Sequence, residues 1–317
     1  MKALNVLSVF DGMSCGQIAL ERAGIAVDKY YASEIDKYAI AVTQKNYPET
    51  IQLGDITKWQ GWDIEQPDII MGGSPCQGFS FAGKLLNFEH EQSKLFFEFV
   101  DILKHYKPKY FLLENVLMRQ EYIDVISGIL GEIYPECITQ QEIFRPGRLE
   151  PIMIKSALVS AQSRRRLYWT NIQGIEQPKD KGIMLNDIIQ ADEVGVIKQD
   201  GRLILKPDKS QCLDANYHKG MDNHGQRSGK IFSVTIGNSK KFSGESDCGK
   251  AYTIIKNHCH GYKIDGGKPK MFSPIECERL QTVPDNYTEG VSKTQRYRML
   301  GNGWTVDVIA HIFSYIK

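Results

Sequence analysis

The sequence is informative first for what it lacks. Its seven cysteines include no C-x-x-C pair, so neither a thioredoxin-type site nor a common zinc knuckle is indicated. One weak metal hint, Cys259 between His258 and His260, has no further ligands of a recognisable site. No apolar run is long enough to cross a bilayer, and the first strand-like residues lack a signal-peptide cleavage site. We therefore expect a cytoplasmic protein with reduced thiols, no membrane partner and no metal.

Charge of one sign is also scarce over the whole chain, because the formal net charge is only +1. Any nucleic-acid surface must then be a local patch. Residues 173–271 are the place to look, since Gly, Lys, Asn, Ser and His are frequent there and β-like runs are short. From Arg202 to Lys270, thirteen Lys and Arg stand against six Asp and Glu. This excess suits phosphate contacts, although an ordinary solvated β-subdomain can have the same composition.

Outside that segment the chain alternates between apolar runs of strand length and amphipathic helical segments. The alternation predicts a parallel sheet with helices on both faces, and such sheets bind ligands at the carboxyl ends of their strands. We predict an α/β, Rossmann-like domain in residues 1–172 plus 272–317. Residues 173–271 would form a smaller, loop-rich β domain.

The first three predicted strands are each followed by a turn that carries an acidic residue. FDGMSCG (residues 10–16) is a glycine turn before a helix, Glu34 follows the second strand, and Asp55 follows the third. A carboxylate after the second strand can bind ribose hydroxyls, and Asp55 could accept a hydrogen bond from an adenine amino group. The dinucleotide fingerprint G-x-G-x-x-G is absent. An adenosine-containing ligand without a pyrophosphate is indicated, and S-adenosylmethionine fits.

Two reactive groups follow the next strands. Cys76 lies in the glycine-rich loop MGGSPCQGFSFAG (residues 71–83), where a thiolate could attack electrophilic carbon. The alternative is a small buried cysteine at the end of a strand. Glu114 ends the apolar run YFLL, and a buried acid requires a partner or a proton. It could serve a substrate ring that must become more electrophilic, or it could be a salt-bridged structural residue.

The segment SAQSRRRLYW (residues 160–169) places Arg164 and Arg166 two residues apart, on one face if this is a strand. The two arginines could bind phosphate or lower the pKa of the cysteine. Three consecutive basic residues are also common at a solvated edge.

Taken in order, these motifs resemble those of the DNA cytosine-5 methyltransferases over nearly the whole chain apart from the insertion. FDGMSCG resembles the cofactor loop of that family, SPCQGFS its nucleophile loop, LLENV its glutamate strand and SAQSRRRLYW its Q-x-R-x-R element. RLQTVP resembles the segment after target recognition, and LGNGWTV the C-terminal cofactor loop. The resemblance implies that residues 1–172 plus 272–317 are the catalytic and cofactor-binding domain and that residues 173–271 are the target recognition domain.

The resemblance implies methyl transfer from S-adenosylmethionine to carbon 5 of a cytosine that is flipped out of double-stranded DNA. Cys76 would attack C6, Glu114 would bind N3 and the 4-amino group, Arg164 would contact the base or its phosphate, and Arg166 would support it. The matched positions expected around the cofactor are Phe10, Asp11, Gly12, Glu34, Ile35, Asp55, Asn302 and Trp304.

The sequence departs from the family pattern in both cofactor loops. Ser14 stands where bacterial members commonly have the second glycine of F-x-G-x-G-G, as in the animal de novo branch, and the last loop reads Asn302-Gly303-Trp304, without the frequent serine after asparagine. A transfer-RNA cytosine methyltransferase and a catalytically silent DNA-binding paralogue are the alternatives. The resemblance also implies a monomer, with a possible cognate restriction endonuclease that forms no stable complex with it.

Overall fold

The fold was analysed in a computed structural model. It describes residues 2–74, 91–138, 147–184, 187–188, 190, 197–199, 202–204, 210–211, 261–263 and 269–317. Two compact units divide the chain: the first comprises Met1–Ile154, Arg165–Gln177 and Ile309–Lys317, and the second Lys155–Arg164 and Pro178–Val308. The sequence-based limits, 1–172 plus 272–317 and 173–271, stay predictions, because most of residues 185–268 lie outside the described part.

A sheet of seven strands forms the centre of the described first unit, in the order β3-β2-β1-β4-β5-β8-β6. The strands are β1 (Leu4–Val9), β2 (Val27–Ser33), β3 (Ile51–Gln52), β4 (Ile69–Gly72), β5 (Tyr110–Val116), β6 (Ile152–Lys155) and β8 (Arg165–Thr170). A two-residue strand, β7 (Gln162–Ser163), belongs to the second unit and pairs with β11 (Ser210–Gln211).

The strands from β3 to β5 run parallel, and β8 pairs antiparallel with β5. Strands of a sheet that is buried on both faces have continuous apolar sequences. The sequences LNVLSV of β1 and YFLL of β5 are of this kind. The chain order reverses between β1 and β4, and this kind of switch point is where α/β sheets bind ligands. The loops after β1 and β4 therefore begin where a ligand is expected to bind.

Helices α1 to α4 alternate with these strands, and α5 to α7 follow the insertion. Their bounds are Cys15–Arg22, Lys37–Asn46, Glu91–Tyr106, Gln120–Ile133, Pro274–Leu280, Lys293–Asn302 and Val306–Phe313. The beginning of α5 shows how local sequence sets a helix end, because Ser273 and Glu276 form a reciprocal capping box with Pro274 at the first position. None of the helices in the described part is long and apolar enough to cross a membrane.

The hydrophobic core of the first unit lies between the sheet and helices α3 and α4. Its central members are fully buried and come from five elements: Leu7, Ile70, Phe99, Leu113 and Ile126. Trp169 of β8 is also buried there, and its indole N–H donates to Ser127 Oγ at 2.9 Å. This packing fixes the sheet, so the residues at its carboxyl edge are held on a rigid base. The predicted Rossmann-like α/β class is confirmed.

Candidate active site

The turn after β1 has an unusual backbone. Phe10, Gly12 and Ser14 have φ of 55°, 60° and 58°, a left-handed region that L-residues other than glycine rarely adopt. The amide of Asp11 donates to Ser33 O at 3.1 Å, which ties the turn to the end of β2. The amide of Gly12 donates to Glu34 Oε2 at 2.7 Å. These bonds bring the first two predicted cofactor segments together.

Glu34 organises its own turn as well as the neighbouring one. Its Oε1 accepts the amides of Ile35 and Asp36, both at 2.8 Å. The carboxylate is therefore fixed in direction and acts as an acceptor at the edge of the sheet. Beside it the apolar side chain of Ile35 is 76% exposed. A fixed acceptor next to an exposed apolar side chain suits a nucleoside, with hydroxyls on one part and a flat ring on the other.

Asp11 lies beneath this turn. Its carboxylate accepts hydrogen bonds from Tyr30 at 2.8 Å and from the Ser14 hydroxyl. Burial raises the pKa of Asp11 from 3.8 to about 6, and these hydroxyl donors offset only part of that rise. An acid held by neutral donors in a desolvated place behaves in this way.

Asp55 caps the short 3₁₀ helix Ile56–Gly61. Its Oδ1 accepts both the amide and the hydroxyl of Thr57 at 2.9 Å. The Thr57 amide and hydroxyl hold the pKa of Asp55 below its usual range. The group is then ionised at neutral pH, and a carboxylate can accept a hydrogen bond from an amino group.

The donors and acceptors around the β1–β3 turns fit the predicted cofactor. S-adenosylmethionine offers ribose hydroxyls, an adenine amino group and a cationic sulfonium. The carboxylates of Asp11, Glu34 and Asp55, the exposed side chain of Ile35 and the turn with Gly12 match these groups. A Cβ on Gly12 would meet no atom within 4 Å, so its left-handed φ rather than crowding in this structure favours glycine there.

The carboxyl end of β5 carries the candidate catalytic acid. Glu114 is 8% exposed, and its Oε1 lies 3.0 Å from Nε of Arg166 on β8 as an ion pair. Arg166 faces Val116 in the antiparallel register. It is therefore a diagonal neighbour of Glu114 on the same face of the sheet, a spacing that long side chains can bridge.

Asn115 adds a contact that sequence reasoning did not single out. Its Nδ2 donates to Ser74, to Oγ at 3.2 Å and to the carbonyl oxygen at 3.4 Å, in a buried position. Ser74 lies near the beginning of the glycine-rich loop (residues 71–83) and is its last described residue. Asn115 thus ties the glutamate strand to the base of that loop. Cys76 itself lies outside the described residues, and the only sequence signal for Asn115 was its place between Glu114 and Val116.

Arg164 is placed differently from Arg166. It lies between β7 and β8, outside either strand, so the expected single strand through both arginines is interrupted there. Within the second unit its guanidinium donates to the carbonyls of Gly301 at 3.2 Å and Gly303 at 3.1 Å. It is 4% exposed. Arg164 therefore binds the end of α6 and the turn after it, the segment that resembles the C-terminal cofactor loop.

A second buried donor supports the same turn. Nε2 of Gln281 donates to the carbonyls of Leu300 at 2.6 Å and Gly303 at 3.3 Å. Asn302 is exposed and Trp304 half-buried on this turn. These two predicted cofactor residues belong to the second unit, whereas the other six belong to the first.

Metal ligation finds no support in the part of the chain that the structure describes. No group of three or more His, Cys, Asp or Glu side chains could hold an ion there. The segment with His258, Cys259 and His260 lies outside those residues.

Comparison with known proteins gives one family. The family model of C-5 cytosine-specific DNA methylases matches residues 4–121 and 159–317. The Type II methyltransferase M.NlaX of Neisseria lactamica is 28% identical over 337 residues, covering 98% of this chain and 96% of that protein. M.HhaI of Haemophilus parahaemolyticus is 27% identical over 331 residues, covering 98% and 94%. M1.ScrFI of Lactococcus lactis subsp. cremoris is 30% identical over 303 residues, covering 89% and 70%.

Solved structures agree in fold. DNMT2 of Spodoptera frugiperda matches with a TM-score of 0.63 at 20% sequence identity, covering 99% of each chain. The methyltransferase EhMeth of Entamoeba histolytica matches with a TM-score of 0.63 at 19% identity, covering 99% of this chain and 98% of that one. At these identities the likeness concerns the fold alone.

Proposed function

Because this chain belongs to the C-5 cytosine-specific DNA methylase family and is therefore a cytosine-5 methyltransferase, we propose that it methylates a specific sequence in double-stranded DNA. The Type II names of its relatives support DNA as the substrate and a role beside a restriction endonuclease. The basic stretch between residues 202 and 270 would make the phosphate and base contacts.

The observation that carries the mechanism is the ion pair of Glu114 with Arg166 at the end of β5. A flipped cytosine that presents N3 and its 4-amino group to Glu114 would be polarised at C6. Arg166 holds the acid in one direction, so the acid does not have to reorganise when the substrate arrives. The base is then prepared for addition of a nucleophile.

Cys76 is the proposed nucleophile. Its thiolate would form a bond to C6, and the electron pair of the C5–C6 double bond would make C5 nucleophilic. When bound, S-adenosylmethionine supplies an electrophilic methyl group on its sulfonium. After transfer, removal of the C5 proton returns the electron pair to C5–C6 and expels the Cys76 thiolate. Asn115, through Ser74, would position the base of the loop that carries Cys76.

The cofactor would be held by the turns after β1, β2 and β3. Glu34 would accept the ribose hydroxyls, Asp55 the adenine amino group, and Ile35 would cover the ring. Phe10, Asp11 and Gly12 would form the turn beneath it. Family resemblance, rather than geometry, adds Asn302 and Trp304 to this set.

Arg164 would act through a fixed guanidinium. Its two bonds to the carbonyls of Gly301 and Gly303 orient it, and an oriented guanidinium suits a contact with the base or its phosphate. The same bonds hold the turn that carries Asn302 and Trp304.

Nucleoside mass spectrometry on duplex DNA treated with the protein and S-adenosylmethionine tests the proposal. We expect 5-methylcytosine with the wild type and none above background with Cys76→Ala. Cys137→Ala is the matched control, because Cys137 is a half-buried thiol at the surface of the core of the first unit, and we expect it to keep the activity. Methylation of transfer RNA but not of DNA would replace the DNA substrate, and methylation by Cys76→Ala would overturn the nucleophile.

A further inference from the structure

The turn after β1 uses a serine in a conformation that favours glycine. Ser14 has φ 58° and ψ 43° and stands directly before α1. A side chain in this region is strained unless the surroundings hold it. Ser14 is fully buried, so water does not provide that support. The protein must supply it.

A buried chain of side chains provides the support. The Ser14 hydroxyl donates to Asp11 Oδ2, and Tyr30 donates to Oδ1 of the same carboxylate at 2.8 Å. Thr43 Oγ1 donates to Ser14 Oγ at 3.3 Å. The Ser14 amide also donates to the Asp11 carbonyl at 3.1 Å. Asp11 therefore binds Ser14 through both its side chain and its backbone.

Gly16 makes room for this arrangement. A Cβ at that position would lie 2.9 Å from the Tyr30 hydroxyl oxygen and 2.4 Å from Cε of Met71. Both distances are shorter than carbon atoms tolerate, so a larger residue would push the tyrosine away from Asp11. The glycine of S-C-G is thus required by the same hydroxyl that holds the carboxylate.

We propose that Asp11 is a positioning residue for cofactor binding: held by Tyr30, it fixes Ser14 in the left-handed turn and so directs the Gly12 amide toward Glu34. Its hydrogen bonds stabilise the left-handed conformation of Ser14, which a glycine at that position would adopt without such support. The proposal rests on the proposed function, because it concerns the turn that would receive the cofactor. The series of contacts ends at the 2.7 Å hydrogen bond from the Gly12 amide to Glu34 Oε2.

The turn should then respond to pH. The groups that face Asp11 are Ser8 of β1, Tyr30 of β2, Glu34 after β2 and Ser14 before α1, and of these Tyr30 and Glu34 titrate. Burial raises the pKa of Asp11 to about 6. Above that pH the ionised carboxylate accepts from both hydroxyls, whereas the protonated form loses an acceptor. Cofactor binding should therefore tighten as pH rises through about 6.

A double-mutant cycle tests the proposal by calorimetric titration of the full chain with S-adenosylmethionine. We expect Asp11→Asn to raise Kd about tenfold, since one charge-assisted hydrogen-bond set is lost. Ser14→Gly should change Kd by less than about threefold, because glycine adopts this turn without help. In the Ser14→Gly background, Asp11→Asn should then have less than about a third of its effect on Kd.

Four outcomes would overturn the inference. An equal effect of Asp11→Asn in both backgrounds would show that Asp11 does not act through Ser14. An unchanged Kd in Asp11→Asn, or a wild-type Kd that is constant from about pH 5 to pH 7, would remove the positioning role. No binding by the wild type would overturn the proposed function together with this inference, and it is the only result that does both.

A further variant is needed that leaves the packing of side chains intact. Tyr30→Phe removes one donor to Asp11 and keeps the packed ring, and we expect it to raise Kd about threefold. Thermal melting of each apo variant separates affinity from stability, because a structural role alone would lower Tm and leave Kd of the folded fraction unchanged.

Discussion

Each compact unit contains a buried glutamate paired with an arginine, and the two pairs differ in how completely the acid is satisfied. In the second unit Glu278 is fully buried. It accepts the amides of Asn286 at 2.7 Å and Thr288 at 2.8 Å, the Thr288 hydroxyl, and Nη2 of Arg296 at 2.9 Å. Four donors converge on one carboxylate, three on Oε1 and one on Oε2. Such a group, with no exposed surface, holds a loop and is closed to a ligand.

Glu114 in the first unit is the opposite case. Within the described residues its carboxylate has one ion-pair contact, with Arg166, and it is 8% exposed at the end of a strand. A buried carboxylate retains binding capacity when its lone pairs are not all filled. The comparison teaches that pairing with arginine does not distinguish a structural acid from a reactive one. The number of hydrogen-bond donors that the carboxylate accepts does distinguish them.

Glu114→Gln should break the first side of the comparison and have the largest effect. The amide cannot pass a proton toward N3, so we expect kcat for methylation to fall about a thousandfold, within the range of general acid catalysis. Because glutamine leaves Arg166 beside a neutral amide, the unfolding free energy should also fall, but by less than in Glu278→Gln, where the replaced carboxylate has four donors. Single-turnover methylation and urea unfolding of the same preparation measure both. An equal loss of stability and activity would make Glu114 a structural acid.

Glu278→Gln is the matched substitution in the second unit. It leaves Arg296 beside a neutral amide in a buried place, and we expect the unfolding free energy to fall by at least about 3 kcal/mol. The folded fraction should keep its kcat, because Glu278 has no role in the chemistry. Urea unfolding and methylation rates normalised to folded protein provide the check. A fall in kcat beyond tenfold with normal stability would contradict the distinction.

The carboxyl edge of the sheet could be predicted from the sequence because its signals are local. Buried strands are apolar runs, and Glu34, Asp55 and Glu114 each interrupt or follow such a run. The alternation with amphipathic segments also predicted helices between the strands, and the structure has them as α1 to α4. These features depend on neighbours along the chain, and a pattern of neighbours is what a sequence displays.

The polar contacts of the two units could not be predicted in the same way. Nothing near Arg164 indicates that it binds the carbonyls of Gly301 and Gly303, since the partners are far away in the chain and carbonyls have no sequence signature. The sequence around Tyr30 indicates only a strand, yet its hydroxyl donates to Asp11. Such pairings depend on the packing of strands against turns, which fixes direction only after folding.

Asp11→Asn extends the comparison to an acid held by hydroxyls instead of an arginine. Because the folded pKa is raised from 3.8 to about 6, the contribution of Asp11 to stability is present below pH 3.8 and is lost as pH rises through about 6. Relative to the asparagine variant, the wild type should lose up to about 3 kcal/mol over that interval. Urea unfolding of both proteins between about pH 4 and pH 7 measures the difference. Parallel curves would show that the carboxyl is ordinary.

Arg166→Lys probes the smallest part of the comparison, the direction in which Glu114 is held. Lysine keeps the charge but not the planar guanidinium that places Nε 3.0 Å from the carboxylate. We expect kcat to fall about tenfold, because the close ion pair that orients Glu114 is weakened, with little change in KM for either substrate. Arg165→Lys is the control, because Arg165 is exposed on the same strand and should stay within about twofold of the wild type. If both variants lost activity equally, the basic run would be acting through its charge alone. The orientation of Glu114 would then have to come from the bound cytosine itself.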